Sequence, residues 1–110
     1  MAIITPLKIA HGAVGTGAGT LLYTVPAASS VFVKCIDVAN TTAGALTLQL
    51  HLVTSGDTVG TTNMLVPGIS IPAYTMWQWT GTQILGAGDF IQGIGSGAGL
   101  TINISGGIRA

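Results

Sequence analysis

Apolar and polar residues alternate along most of this chain with a period of two. The stretch 45–53, ALTLQLHLV, is the clearest case, because leucine occupies every second position and Thr47, Gln49 and His51 stand between the leucines. Successive side chains of a β-strand point to opposite faces of a sheet, so this pattern is typical of a strand with one buried face. The 3.6-residue period of an amphipathic helix is not sustained anywhere along the chain.

Turn-forming residues divide the chain into short segments with this alternation. The pattern predicts strands at 21–25, 31–39, 45–53, 63–66, 75–80, 83–85, 89–93 and 100–105. Between them lie turns rich in glycine, proline, asparagine and serine, among them PAASS, NTTAG, PGISIPA and GTQILGAGD. We therefore predict an all-β protein, an antiparallel β-sandwich that is jelly-roll-like and has about eight short strands.

The first twenty residues differ from the rest. Residues 1–10, MAIITPLKIA, are mostly apolar and precede the glycine-rich HGAVGTGAGT. This segment is either a first strand or an extended arm that adds to a neighbour's sheet, since Pro6 is disfavoured in a central strand. We accordingly divide the chain into residues 1–20, an arm or first strand plus a glycine-rich loop, and residues 21–110, the β-sandwich domain.

Charge is almost absent from the composition. Only 5% of the 110 residues are charged, three basic and three acidic, and the formal net charge is zero. Three basic residues offset by three acidic ones cannot supply the positive footprint that binding to nucleic acid requires. A surface so poor in charge favours association, so we expect neighbouring proteins to cover much of it.

Membrane insertion and export are not expected from the sequence. Thr, Ser, Gly and Pro interrupt every apolar run before it reaches the length of roughly 18 residues that a membrane helix needs. The start of the chain lacks the architecture of a signal peptide. The single cysteine, Cys35, cannot form an intramolecular disulfide. We therefore expect synthesis and folding in a cytoplasm.

No motif in the sequence indicates catalysis, a cofactor or a metal. The cluster GIGSGAG at 93–99 lacks the spacing of a nucleotide-binding loop and precedes an alternating strand, where a dinucleotide fold needs a helix. His11, Cys35 and His51 show no ligand spacing, and no nucleophile stands in a recognisable elbow. We predict that the protein is not an enzyme and that Cys35 is a small buried apolar residue.

Two tryptophans carry a candidate contact surface. Trp77 and Trp79 are two residues apart, so their side chains share one face of a strand. They either fill the core or form an exposed apolar platform for a partner subunit or a sugar, because tryptophan is enriched in interface hot spots.

The order of the turn motifs points to one protein family. YTVPA precedes the long strand VFVKCIDVAN, an N-T turn follows, LGAGD introduces a later strand, and the chain closes on LTINISGGI. In this order the motifs resemble those of the small β-sandwich structural proteins of tailed-phage virions, and the resemblance extends from about residue 21 to 108. Gly107, Ile108 and Arg109 stand where that family has an acidic residue after the terminal I-S-G.

The resemblance implies a capsid decoration (cement) protein that stabilises the head shell by bridging major capsid subunits. It also implies a homotrimer, located on the capsid surface of the virion after assembly in the host cytoplasm. The alternative is a tail-fibre or receptor-binding module that contacts host glycans. Uncharged polar rows such as Thr47, Gln49 and His51 would suit protein contacts, since burying them costs less than burying charges. The candidate interface residues are Ile3, Ile4, Leu7, Trp77 and Trp79.

Overall fold

The computed structural model describes residues 4–17 and 19–109 of the chain, which form eight β-strands. A single 3₁₀ turn, Thr61–Asn63, lies between the fourth and fifth strands. No helix in this described part is long and apolar enough to cross a membrane. The strands are β1 (Ile4–Ala13), β2 (Thr20–Thr24), β3 (Ser30–Asn40), β4 (Leu46–Val53), β5 (Met64–Ile71), β6 (Met76–Leu85), β7 (Phe90–Gly95) and β8 (Leu100–Arg109).

The strands form two four-stranded antiparallel sheets. Sheet A has the order β1-β8-β3-β6, and sheet B has the order β2-β7-β4-β5. The first strand therefore pairs with the last, β2 with β7, β3 with β6, and β4 with β5. A long hairpin rolled over itself in this way has the strand order of a jelly roll. The predicted all-β antiparallel sandwich is confirmed.

The N-terminal segment is the edge strand of sheet A. Its pairing with β8 runs from Ile4 opposite Arg109 to Ala13 opposite Thr101, with a bulge between Lys8 and Ala10. Pro6 is compatible with this position, because an edge strand uses its backbone groups on one side only. In the structure, then, residues 4–13 lie in the chain's own sheet.

The hydrophobic core lies between the two sheets. Sheet A contributes the alternate residues of β3 and β8, such as Ile36 and Ile102, and sheet B contributes Leu48 and Leu50 from the row of leucines in β4. All four side chains are fully buried. The period-two pattern of the sequence thus corresponds directly to the inward and outward faces of these strands.

Two predicted turns are in fact continuous strand. β5 runs through Pro67 and Gly68, where its register against β4 shifts and Gly68 adopts a φ of 95°. Proline and left-handed glycine fit there because β5 is an edge strand and the irregularity is a bulge. Likewise, β6 joins the predicted pieces 75–80 and 83–85 across a register shift opposite Val33 and Cys35.

Candidate interaction surface

The face of sheet A that points away from the core is the candidate interaction surface, and we call it the outer face of sheet A. One row of register partners crosses this face from edge to edge: Pro6 of β1, Gly107 of β8, Phe32 of β3 and Ile84 of β6. Apart from the glycine, these residues are apolar, although the outer face of a sandwich is usually polar. Ile84 is 67% exposed and Phe32 is half-buried.

A groove opens along this apolar row. It has a volume of about 430 Å³ and is lined by Ile4, Pro6, Phe32, Lys34, Gly106 and Gly107. The groove exists partly because its floor has no side chains: a Cβ on Gly107 would lie 2.9 Å from Cγ2 of Ile4. Ile4 itself is 60% exposed. The groove therefore offers apolar surface together with one amine, that of Lys34.

Next to the groove, polar side chains of β3 and β6 contact one another on the outer face. The Nε2 amide of Gln78 donates to Oδ1 of Asp37 at 2.8 Å and lies 3.7 Å from Sγ of Cys35. The thiol of Cys35 lies 3.6 Å from Oδ2 of Asp37. Cys35 is half-buried on this outer face, so the prediction of a buried apolar cysteine is wrong. The bulge after Val33 shifts the alternation of β3, so that Cys35 and Asp37 both point outward.

The predicted interface residues do not form one surface. Ile3 lies outside the described residues, and Ile4 borders the groove. Leu7 faces inward and packs against the core. Trp77 and Trp79 lie in register with the buried Val38 and Ile36, are half-buried, and pack against the core at the β6 edge of sheet A. Ile4 and the tryptophans are thus on opposite edges of the sheet.

Sequence reasoning missed the most apolar part of the outer face. Phe32 and Ile84 occupy positions of β3 and β6 that the alternation assigns to the solvent side. At each position, the sequence has an apolar residue where the alternation predicts a polar, outward-facing one, and this could have indicated an interaction surface. The row they form was not visible, because β3, β6 and β8 are adjacent in the sheet but far apart in sequence.

The two histidines lie on opposite sheets. His11 is exposed and pairs with Asn103 in sheet A. His51 belongs to the outer face of sheet B, yet it is only 2% exposed because the segment 54–63 folds over it. The uncharged polar row of β4, formed by Thr47, Gln49 and His51, is therefore covered at His51 by the chain itself. Within the described residues, no group of three or more His, Cys, Asp or Glu side chains is placed to hold a metal ion.

The chain matches no protein-family model. No curated protein and no solved structure is significantly similar to it. The functional assignment consequently depends on the turn motifs, the fold and the chemistry of the surface.

Proposed function

We propose that this chain is a structural protein of a tailed-phage virion, and most specifically a decoration protein that stabilises the head shell by bridging major capsid subunits. The observation that carries the proposal is the apolar groove on the outer face of sheet A. A monomeric protein in water rarely exposes a contiguous apolar surface unless a partner covers it. Here the exposed Ile84 belongs to a row of apolar side chains that crosses the sheet, and the exposed Ile4 lies beside that row.

The low charge of the chain supports the same proposal. Covering a surface of uncharged polar and apolar groups avoids the desolvation penalty of buried charges. A protein in a shell has neighbours on several sides, and 5% charged residues suit that environment. The jelly-roll order of the strands adds support by analogy alone, since capsid proteins use this fold but so do lectins and cupins.

A homotrimer is the assembly state that we propose. The edge strand β6 carries Trp77 and Trp79, which are half-buried in the single chain and retain surface for a further contact. Sheet edges and half-exposed aromatic residues are common elements of subunit interfaces. The glycan-binding alternative needs a flat exposed aromatic platform, and the inward packing of both indoles favours it less.

Virion composition and antibody labelling test this proposal. Particles are purified from a lysate in which the gene is expressed, the protein is quantified by mass spectrometry, and gold-labelled antibodies locate it by electron microscopy. Decoration predicts many copies per particle, with label spread over the head. Label confined to the tail tip would instead identify the fibre module, and absence of the protein from purified particles would contradict both assignments.

A further inference from the structure

The three basic residues of the chain all lie on the outer face of sheet A, around the groove. Lys34 lines the groove and donates from Nζ to Oγ1 of Thr82 at 2.9 Å. Lys8 follows Pro6 by two residues on the same side of β1 and pairs with Ser105. Arg109 is the register partner of Ile4. Lys8, Lys34 and Arg109 are all exposed.

The acidic residues are distributed differently. Asp37 is the one aspartate on the outer face of sheet A, and it accepts a hydrogen bond from Gln78. Asp57 and Asp89 lie in the connections that follow β4 and β6. Three cations against one aspartate give this face a net charge of +2 in a chain whose formal net charge is zero. The neutral chain is therefore strongly polarised.

We infer that the groove binds an extended, apolar segment of a partner protein that carries carboxylates. Apolar side chains of such a segment would cover Ile4, Phe32 and Ile84, and its carboxylates would lie beside Lys8, Lys34 and Arg109. Complementary charge of this kind selects the partner and its orientation more than it adds affinity. On the proposed function, on which this identification of the partner rests, the segment belongs to the major capsid protein.

A second copy of this chain is a poorer occupant. Both carboxylate oxygens of Asp89 accept backbone N–H groups, from Ser55 and Gly86, at 2.8 Å each. Asp37 lies on the cationic face itself. Another copy would thus present mainly Asp57 to three cations, so it offers little complementary charge. Nucleic acid fits less well still, because its binding depends on many cations and gains little from an apolar groove.

Titration of the full-length, isotope-labelled protein by NMR tests this inference. The probe is a terminally blocked peptide of alternating leucine and aspartate, and the comparison peptide has lysine in place of aspartate. We expect the aspartate peptide to shift the amide signals of Phe32, Lys34, Ile84 and Gly107, with an affinity that falls as salt is added. The lysine peptide should bind more weakly.

Two variants with the same change in net charge locate the effect. Lys34→Gln removes one positive charge at the groove, whereas Thr47→Glu adds one negative charge at an exposed position of sheet B. Lys34→Gln should weaken binding of the aspartate peptide by about threefold, the range of an exposed charge pair. Thr47→Glu should leave the affinity unchanged.

Several results would overturn the inference: equal binding of both peptides, shifts confined to sheet B, or equal loss in both variants. Concentration-dependent shifts at the groove without peptide would assign it to a second copy. These measurements need no virion. If the groove binds the aspartate peptide but the protein is absent from particles, the proposed function is wrong and the inferred binding site is retained. If the protein attaches to heads through another face, the proposed function is supported and the inferred binding site is wrong.

Discussion

The ring nitrogen Nδ1 of His51 lies 2.9 Å from the side-chain oxygen Oδ1 of Asn63. The same ring nitrogen is 3.1 Å from the carbonyl oxygen of Gly60. Because both neighbours are acceptors in this hydrogen-bond network, the network assigns the proton to Nδ1. This contact joins β4 to the segment that covers it, and it explains how an uncharged polar residue on the outer face of a sheet becomes buried.

Asn63 organises that covering segment. Its Oδ1 also accepts the N–H of Gly60 at 3.1 Å, and its Nδ2 donates to the carbonyl of Thr58 at 2.8 Å. We predict that Asn63→Ala lowers the free energy of unfolding by about 1 to 3 kcal/mol, because it removes the acceptor of the Gly60 N–H and one of the two acceptors beside Nδ1 of His51. Urea denaturation measures this change.

The neighbouring threonine provides the control for that variant. Thr62 is exposed, so Thr62→Ala should change the free energy of unfolding by less than about 0.5 kcal/mol. Equal stabilities of the Asn63 and Thr62 variants would show that the histidine contact does not hold the segment in place.

Asp89 secures the turn before β7. Its Oδ1 accepts the N–H of Ser55 and its Oδ2 accepts the N–H of Gly86. We expect Asp89→Ala to cost about 2 to 3 kcal/mol in thermal or urea unfolding, since hydrogen bonds to a charged group are the stronger kind. Asp57→Ala removes the same charge from an exposed position and should be nearly neutral. Similar losses in both variants would assign the effect to net charge and contradict the turn argument.

Gly106 marks a close approach of β8 to β3. A Cβ at this position would overlap the carbonyl oxygen of Phe32 and would lie 3.2 Å from the backbone nitrogen of Lys34. We predict that Gly106→Ala lowers stability by at least about 2 kcal/mol, because backbone atoms cannot move aside as a flexible side chain would. Gly44→Ala places its Cβ in open space and serves as the matched control. Unchanged stability of Gly106→Ala in circular-dichroism melting would refute the close approach.

The sequence predicted the strands best where the alternation is strong. The leucines of β4 were assigned to one face, and they do point to the core, because a buried face imposes its own period. The turn before β7 was also predicted correctly: Gly88 has a φ of 82°, and Asp89 accepts backbone N–H groups. These are local features, in which neighbouring residues determine the conformation.

Features that depend on distant partners were not predictable in the same way. Pro67 and Gly68 suggested a turn, and only pairing with β4 makes them a bulged edge. The outward position of Cys35 depends on the bulge beside Lys34, which shifts the phase of β3. The groove needs residues of β1, β3 and β8 in one register, and alternation within a single strand cannot supply that register.

The proposed trimer can be checked by the native mass in solution. The chain has a mass of 11.0 kDa, so light scattering should give about 33 kDa for a closed three-fold assembly. Quenching of tryptophan fluorescence by acrylamide should rise on dilution below the dissociation range, because Trp77 and Trp79 then lose the neighbour's cover. A monomer at all concentrations would contradict the trimer in solution. Decoration as a trimer would then require the shell itself to assemble the three copies.

The central claim, that the protein is a head decoration, is tested most directly by comparing cryo-electron-microscopy reconstructions of heads with and without it. Head decoration predicts difference density outside the shell, between major capsid subunits, into which the two four-stranded sheets fit. It further predicts that heads lacking the protein rupture at a lower temperature. Identical head reconstructions, with the protein found only at the tail or in neither place, would contradict the claim.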